Sequence, residues 1–171
     1  MKLKKNTCFV IMGFGKKNHT DFGITFDLDK AYQKIIRPAA EKLGYECIRA
    51  NEIDDSGLIE KSMYAILMQA DLVIAYVTTD NANAMYEVGI REAVHPNSTI
   101  ILNKKQGEKR FDVGQNKMCI YTPLGQVIGD REAEECQEKI IELIHNVNKD
   151  RVIDSPLFEF IKDIIPDLPD D

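Results

Sequence analysis

DLVIAYVTTDNANAMYEVGIR, Asp71 to Arg91, is the stretch that decides the architecture. After the opening aspartate the run to Val77 is continuously apolar, which suits a central strand of a parallel sheet covered on both faces. TTDNAN then turns the chain, with Asp80 or Asn81 as the cap, into a helix over Ala82 to His95. Its Tyr86, Ile90, Ala93 and Val94 are expected to face inward. A buried strand running directly into an amphipathic helix is half of a βαβ unit, so the neighbouring segments should repeat the pattern.

They do. Upstream, TCFVIM (Thr7 to Met12) reads as a buried strand ending at Gly13 and Gly15. Leu28, Tyr32, Ile35, Ile36, Ala39 and Leu43 recur at helical spacing between Thr25 and Leu43, with Gly44 as the stop and Pro38 expected to bend or interrupt the helix. YECIRA (Tyr45 to Ala50) is a second strand, and Leu58 to Ala70 a helix with Ser56 as its cap. Downstream come strands at Ser98 to Asn103 and Met118 to Thr122, an amphipathic helix from Asp130 to Val147, and a short helix between Ser155 and Ile165. This order predicts an α/β fold: a flavodoxin-like or Rossmann-like open parallel five-stranded sheet with helices on both faces. It divides the chain into an α/β domain over 1–150 and a tail over 151–171 that packs on the domain or on a partner.

Composition fits one soluble domain: 171 residues, 44% hydrophobic and 29% charged. Lys plus Arg is 22 against 28 Asp plus Glu, a net of -6, and the basic residues are scattered, which argues against a nucleic-acid polymer as partner. Cys8, Cys47, Cys119 and Cys136 form no CxxC pair and have no His at zinc spacing, so reduced thiols in a cytoplasmic protein without a metal site are expected. The first apolar run, Cys8 to Met12, has no cleavage site after it, and no run approaches membrane length. Neither export nor a membrane span is expected.

In a sheet of this kind the ligand crevice lies at the carboxyl ends of the strands, beside the switch in strand order. That singles out Gly13 to Lys17, Arg49 to Gly57, Thr78 to Glu87 and Asn103 to Gly107. Gly13-Phe14-Gly15 lacks the third glycine of a dinucleotide loop, position 18 being Asn18, and lacks the Gly-Lys-Ser/Thr ending of a phosphate loop. A tight turn is the simpler reading. Asn83 and Glu87, four residues apart, share one side of the helix near the crevice, while Glu87 and Arg91 have the spacing of an ordinary surface ion pair. Ser56 and Gly57 sit at the correct end of the sheet to touch substrate, and serve equally well in a helix-capping turn. His19, His95 and His145 have no evident catalytic partner.

CFVIMGFGKK followed by ADLVIAYVTTDNANAMYEVGIREA resembles the nucleoside 2-deoxyribosyltransferase-like superfamily, which is related in fold to TIR domains. The likeness rests on the apolar first strand with its small turn, an Asp opening the third strand, the Asp/Asn-rich loop, and Tyr86-Glu87-Val88-Gly89. It covers roughly residues 7 to 103. Gly13 stands where many relatives have Pro, so pocket shape is not carried over.

The resemblance implies that Glu87 is the nucleophile or essential carboxylate at C1 of a ribose. It implies that Asp80, Asn81 and Asn83 contact the sugar, with Asp80 as the acid for the leaving base, and that Met12, Gly13 and Phe14 line the base or phosphate pocket. Asp71 matches the pattern too but opens its strand at the far end, where capping suits it better. Cleaving an N-glycosidic bond builds positive charge at C1, which an ionised carboxylate stabilises or captures. The expected activity is therefore hydrolysis or transfer at the N-glycosidic bond of a nucleoside, nucleotide or NAD, with NAD one possible substrate rather than a cofactor, and with no cofactor or metal. A homo-oligomer is expected from the same resemblance. The competing reading is a nucleotide-sensing or signalling module of the same TIR-like fold, with little or no turnover, whose tail Asp154-Ser155-Pro156-Leu157-Phe158 docks on the domain or a partner.

Overall fold

The structure is a computed structural model that describes residues 6–19, 23–53, 59–79, 81–104, 118–121, 128–150 and 153–161. It is an α/β fold around a parallel sheet. Strand β1 (Thr7–Ile11) is an interior strand; β2 (Lys16–His19) and β3 (Ile24–Asp27) form a separate antiparallel hairpin. The remaining strands are β4 (Glu46–Arg49), β5 (Leu72–Tyr76), β6 (Thr99–Lys104) and β7 (Met118–Tyr121). β1 lies between β4 and β5, with Cys8 aligned to Cys47 on one side and to Leu72 on the other. β6 pairs with β5, and the backbone of β7 pairs with the outer side of β6. All of these pairings are parallel, in the order β4-β1-β5-β6-β7.

The helical segments are α1 (Leu28–Ala31) and α2 (Arg37–Glu41), joined by a π turn (Tyr32–Ile36), then α3 (Ile59–Gln69), α4 (Ala82–Val94), α5 (Asp130–Asp150) and α6 (Pro156–Phe160). Strand alternation sorts the core into two layers. Cys8, Val10, Leu72, Ile74 and Ile100 pack with Leu28, Tyr32, Ile36, Ile140 and Ile144 on one face. Phe9, Ile11, Val73, Ala75 and Ile101 pack with Ile66, Leu67, Ala84 and Val88 on the other. The unbroken apolar character of Leu72 to Val77 follows from burial on both sides.

Three sequence expectations are corrected. Thr25 to Asp27 are not helical: they pair with Lys16 to Lys17 and Asn18 in the hairpin, and the helix begins at Leu28, capped by the Asp27 carboxylate, which accepts from the Lys30 amide at 3.1 Å. KKNH carries no apolar alternation, so nothing in β2 announces a strand. The inward face of α4 is Ala84, Val88 and Arg91, while Tyr86 and Ala93 are exposed and Ile90 and Val94 only partly buried. An arginine inside the inward stripe hid a face that lies roughly 140° around the helix from the expected one. Glu87 and Arg91 do not pair, because the Arg91 guanidinium is turned inward to the backbone carbonyls of Leu67, Met68 and Ala70 at 2.8, 3.2 and 3.0 Å.

Pro38 does perturb its helix, as expected. Proline has no N–H to offer the carbonyl four residues back, and the turn before it widens to π geometry. The Lys34 carbonyl so released accepts from Gln137 Nε2 on α5 at 2.7 Å, while Gln137 Oε1 accepts from Lys42 Nζ at 2.7 Å. Gln137→Leu should therefore cost about 1 kcal/mol by stranding a part-buried carbonyl. In a Pro38→Ala background, where an N–H is restored, the cost should shrink; equal costs in the two backgrounds by urea denaturation would refute this account.

The start of the tail is tied to α4. Ser155 Oγ donates to the Glu92 carbonyl at 2.6 Å and accepts from the Phe158 amide, capping α6, while the Thr99 amide donates to Asp154 Oδ2 at 3.1 Å. Burial, with a lesser contribution from the nearby Asp154 carboxylate, pushes the Glu92 carboxyl up to about 7. A carboxyl whose folded-state value is raised binds its proton more tightly when folded, so its contribution is present below the ordinary value of 4.5 and lost as pH rises through about 7. The melting temperature should fall between pH 5 and 8, and fall less in Glu92→Gln. Identical slopes would contradict it.

Candidate active site

Strand order reverses its direction of growth at β1: the chain moves outward to β4, then returns to add β5 on the opposite side. The crevice at the carboxyl ends of β1 and β5 is thus where a ligand site is expected on topological grounds. A cavity of about 460 Å3 opens there, lined by Val10, Met12, Gly13, Phe14, Lys17, Ala50, Thr79, Asn81, Asn83, Ala84 and Glu87. Its size lies within the usual range for small-molecule sites, about 300–1,000 Å3.

Each wall has a local cause. On the β1 side, a Cβ on Gly13 would lie 3.1 Å from both Asn81 Nδ2 and Leu28 Cδ1, so this close approach of turn, loop and helix suits glycine. Gly15 has φ +68°, in the left-handed region that glycine occupies without strain. Its carbonyl accepts from the Leu28 amide at 3.0 Å, tying the turn to α1. Phe14 is 43% exposed yet not loose, since the Arg49 guanidinium stacks 4.9 Å from its ring centroid. Arg49 in turn lies 4.6 Å from the Tyr32 ring and is fixed by Asp29 at 2.8 Å and Asn51 at 2.9 Å.

On the β5 side, the Asn81 side chain caps α4 by accepting from the Asn83 amide at 3.0 Å. One turn further along, Glu87 is half-buried, and burial raises its carboxyl above the ordinary 4.5. With Arg91 turned away, Glu87 has no cationic partner on its own helix. The site therefore offers a half-buried carboxylate, carboxamide groups at a helix start, an exposed aromatic ring and, from β2, Lys17.

Of the residues expected from the sequence, Glu87, Met12, Gly13, Phe14, Asn81 and Asn83 line this one cavity. Asp80, Ser56 and Gly57 lie outside the described residues. Asp71 is at the opposite end of the strands, where its Oδ2 accepts from the Thr7 amide at 2.8 Å, the capping role expected for it. Lys17, Thr79 and Ala50 belong to the stretches after strands that the sequence singled out, but only the hairpin and the topology bring them into the wall. Among the described residues, no group of three or more His, Cys, Asp or Glu is placed to hold a metal ion, and no helix is long and apolar enough to cross a membrane. Compared with known proteins, the chain matches no family model, and no curated protein matches it significantly.

Proposed function

We propose that this chain cleaves the N-glycosidic bond of a nucleoside, nucleotide or NAD through Glu87, as a flavodoxin-like member of the nucleoside 2-deoxyribosyltransferase-like group that its sequence resembles. The observation that carries the reading is the cavity that gathers Glu87, Asn81 and Asn83 from α4 with the Met12 to Phe14 turn after β1. A strand order of β4-β1-β5-β6-β7 supports the flavodoxin-like assignment, and with it the location of the crevice.

The mechanism follows from these groups. The base rests against Phe14 and the ribose against Asn81 and Asn83, which brings C1 to Glu87. As the C1–N bond breaks, its electron pair leaves with the base. The positive charge at C1 and the ring oxygen is met by the Glu87 carboxylate, which either stabilises it or forms a bond to C1 that water or a second base then displaces. Asp80 is the proposed acid for a neutral leaving base; nicotinamide, which leaves NAD from a cationic state, needs no proton. The cytoplasm suits the free thiols of Cys8, Cys47 and Cys136, and a homo-oligomer accords with the resemblance.

The test is release of free base, followed by chromatography, from deoxynucleosides, nucleoside monophosphates and NAD incubated with purified protein. Release from one class supports the reading; none from any of them overturns it. A second reading, a nucleotide-sensing module, is favoured by the exposed Phe160 and Ile161 on the tail beside a groove formed with Gly89 and Ala93 of α4. It predicts thermal stabilisation by a nucleotide without base release.

A further inference from the structure

We infer that Lys17 selects a substrate that carries a phosphate ester, by holding the phosphate in the same cavity as Glu87. This rests on the proposed function and specifies its substrate class. Among the described residues lining the cavity, Lys17 is the one cation and Glu87 the one anion. A neutral nucleoside gives a lysine no charge to pair with. A phosphorylated one brings up to two negative charges close to the Glu87 carboxylate, on a protein already at -6, and the repulsion calls for a compensating cation.

Two further observations support the role. Lys30, Lys34, Arg37 and Arg49 each engage a carboxylate, at 3.6, 3.0, 2.8 and 2.8 Å. Lys17, unlike these four, forms no ion pair among the described residues. The backbone under it is also fixed: Lys17 pairs with Phe26 across the hairpin, and Phe26 is buried in the core. The first turn of α4, whose Asn83 and Ala84 share the cavity wall, adds a favourable positive potential for an anion.

The experiment compares kcat/KM for base release from a deoxynucleoside and from its 5′-monophosphate, in wild type, Lys17→Met, Lys17→Arg and, as a control on the same hairpin, Lys16→Met. Wild type should prefer the monophosphate by about 10-fold or more, the size of one charge-assisted contact. Lys17→Met should remove most of that preference through KM, Lys17→Arg should retain it, and Lys16→Met should leave it unchanged. NAD in parallel tells a monoester from the diphosphate of a dinucleotide, and the same Lys17 dependence is expected of whichever is preferred. Equal use of nucleoside and nucleotide by wild type, or a preference untouched by Lys17→Met, overturns the inference while leaving N-glycosidic cleavage standing. If no substrate releases base, the proposed function fails, and calorimetric binding of the monophosphate decides the rest: weakening in Lys17→Met supports the phosphate contact, and unchanged binding overturns it.

Discussion

Glu87→Gln is expected to lower base release by at least about 1000-fold, the scale on which a group that meets charge only in the transition state acts. Glutamine keeps the size and shape of the side chain but supplies neither a nucleophilic oxygen nor a full negative charge at C1. The fold should not suffer. Glu87 is half-buried and its carboxyl is raised by burial, so removing its charge relieves a desolvation cost. A melting temperature equal to or above that of wild type, together with lost turnover, is the expected pair of results; full turnover in the variant would refute the role.

The same environment sets the acid side of the pH profile. Glu87 acts as the carboxylate, and burial holds its proton to a higher pH than the ordinary 4.5. Activity should therefore rise with pH through a midpoint above that value. The climb should vanish in the residual activity of Glu87→Gln.

Arg91→Ala should produce the largest loss of stability, about 3–5 kcal/mol, as expected when one partner of a buried charged network is removed. Arg91 is fully buried, and burial lowers its guanidinium to about 10, which leaves it charged at neutral pH. Its nitrogens bond the last carbonyls of α3 and the Ala70 carbonyl that follows, so a cation sits at the negative end of that helix. Truncation leaves those acceptors without the guanidinium and opens space between α3 and α4. For a chain of this length the melting temperature should drop by roughly 10 °C. Arg91→Met, which refills volume but not hydrogen bonds, should recover part of the loss. A melting temperature within about 2 °C of wild type for Arg91→Ala would contradict this account.

Most of what positions the site could be read from short apolar runs. Strands such as Leu72 to Tyr76 are buried on both faces, and that demand is written directly into their residues. Asn81 as a cap and Glu87 near the crevice follow from local rules of helix starts and spacing. What could not be read depends on partners distant in sequence. β2 is polar and becomes a strand only because Ile24 to Asp27 pairs with it. Arg91 looks like a surface cation four residues from Glu87 until the carbonyls of α3, more than 20 residues earlier, are placed beside it. Arg49 reads as the polar end of a strand, yet its guanidinium is stacked between Phe14 and Tyr32. Lys17 reaches the cavity only through the hairpin. In each case the missing information is a tertiary contact that no local pattern encodes.

The most direct measurement is a crystal structure of the Glu87→Gln variant with a nucleoside 5′-monophosphate bound. The account predicts ribose C1 within about 3.5 Å of the side chain at position 87, a reacting distance, with the base against Phe14 and the phosphate toward Lys17. A nucleotide seated elsewhere on the molecule, or seated in this cavity with C1 turned away from position 87, would contradict it.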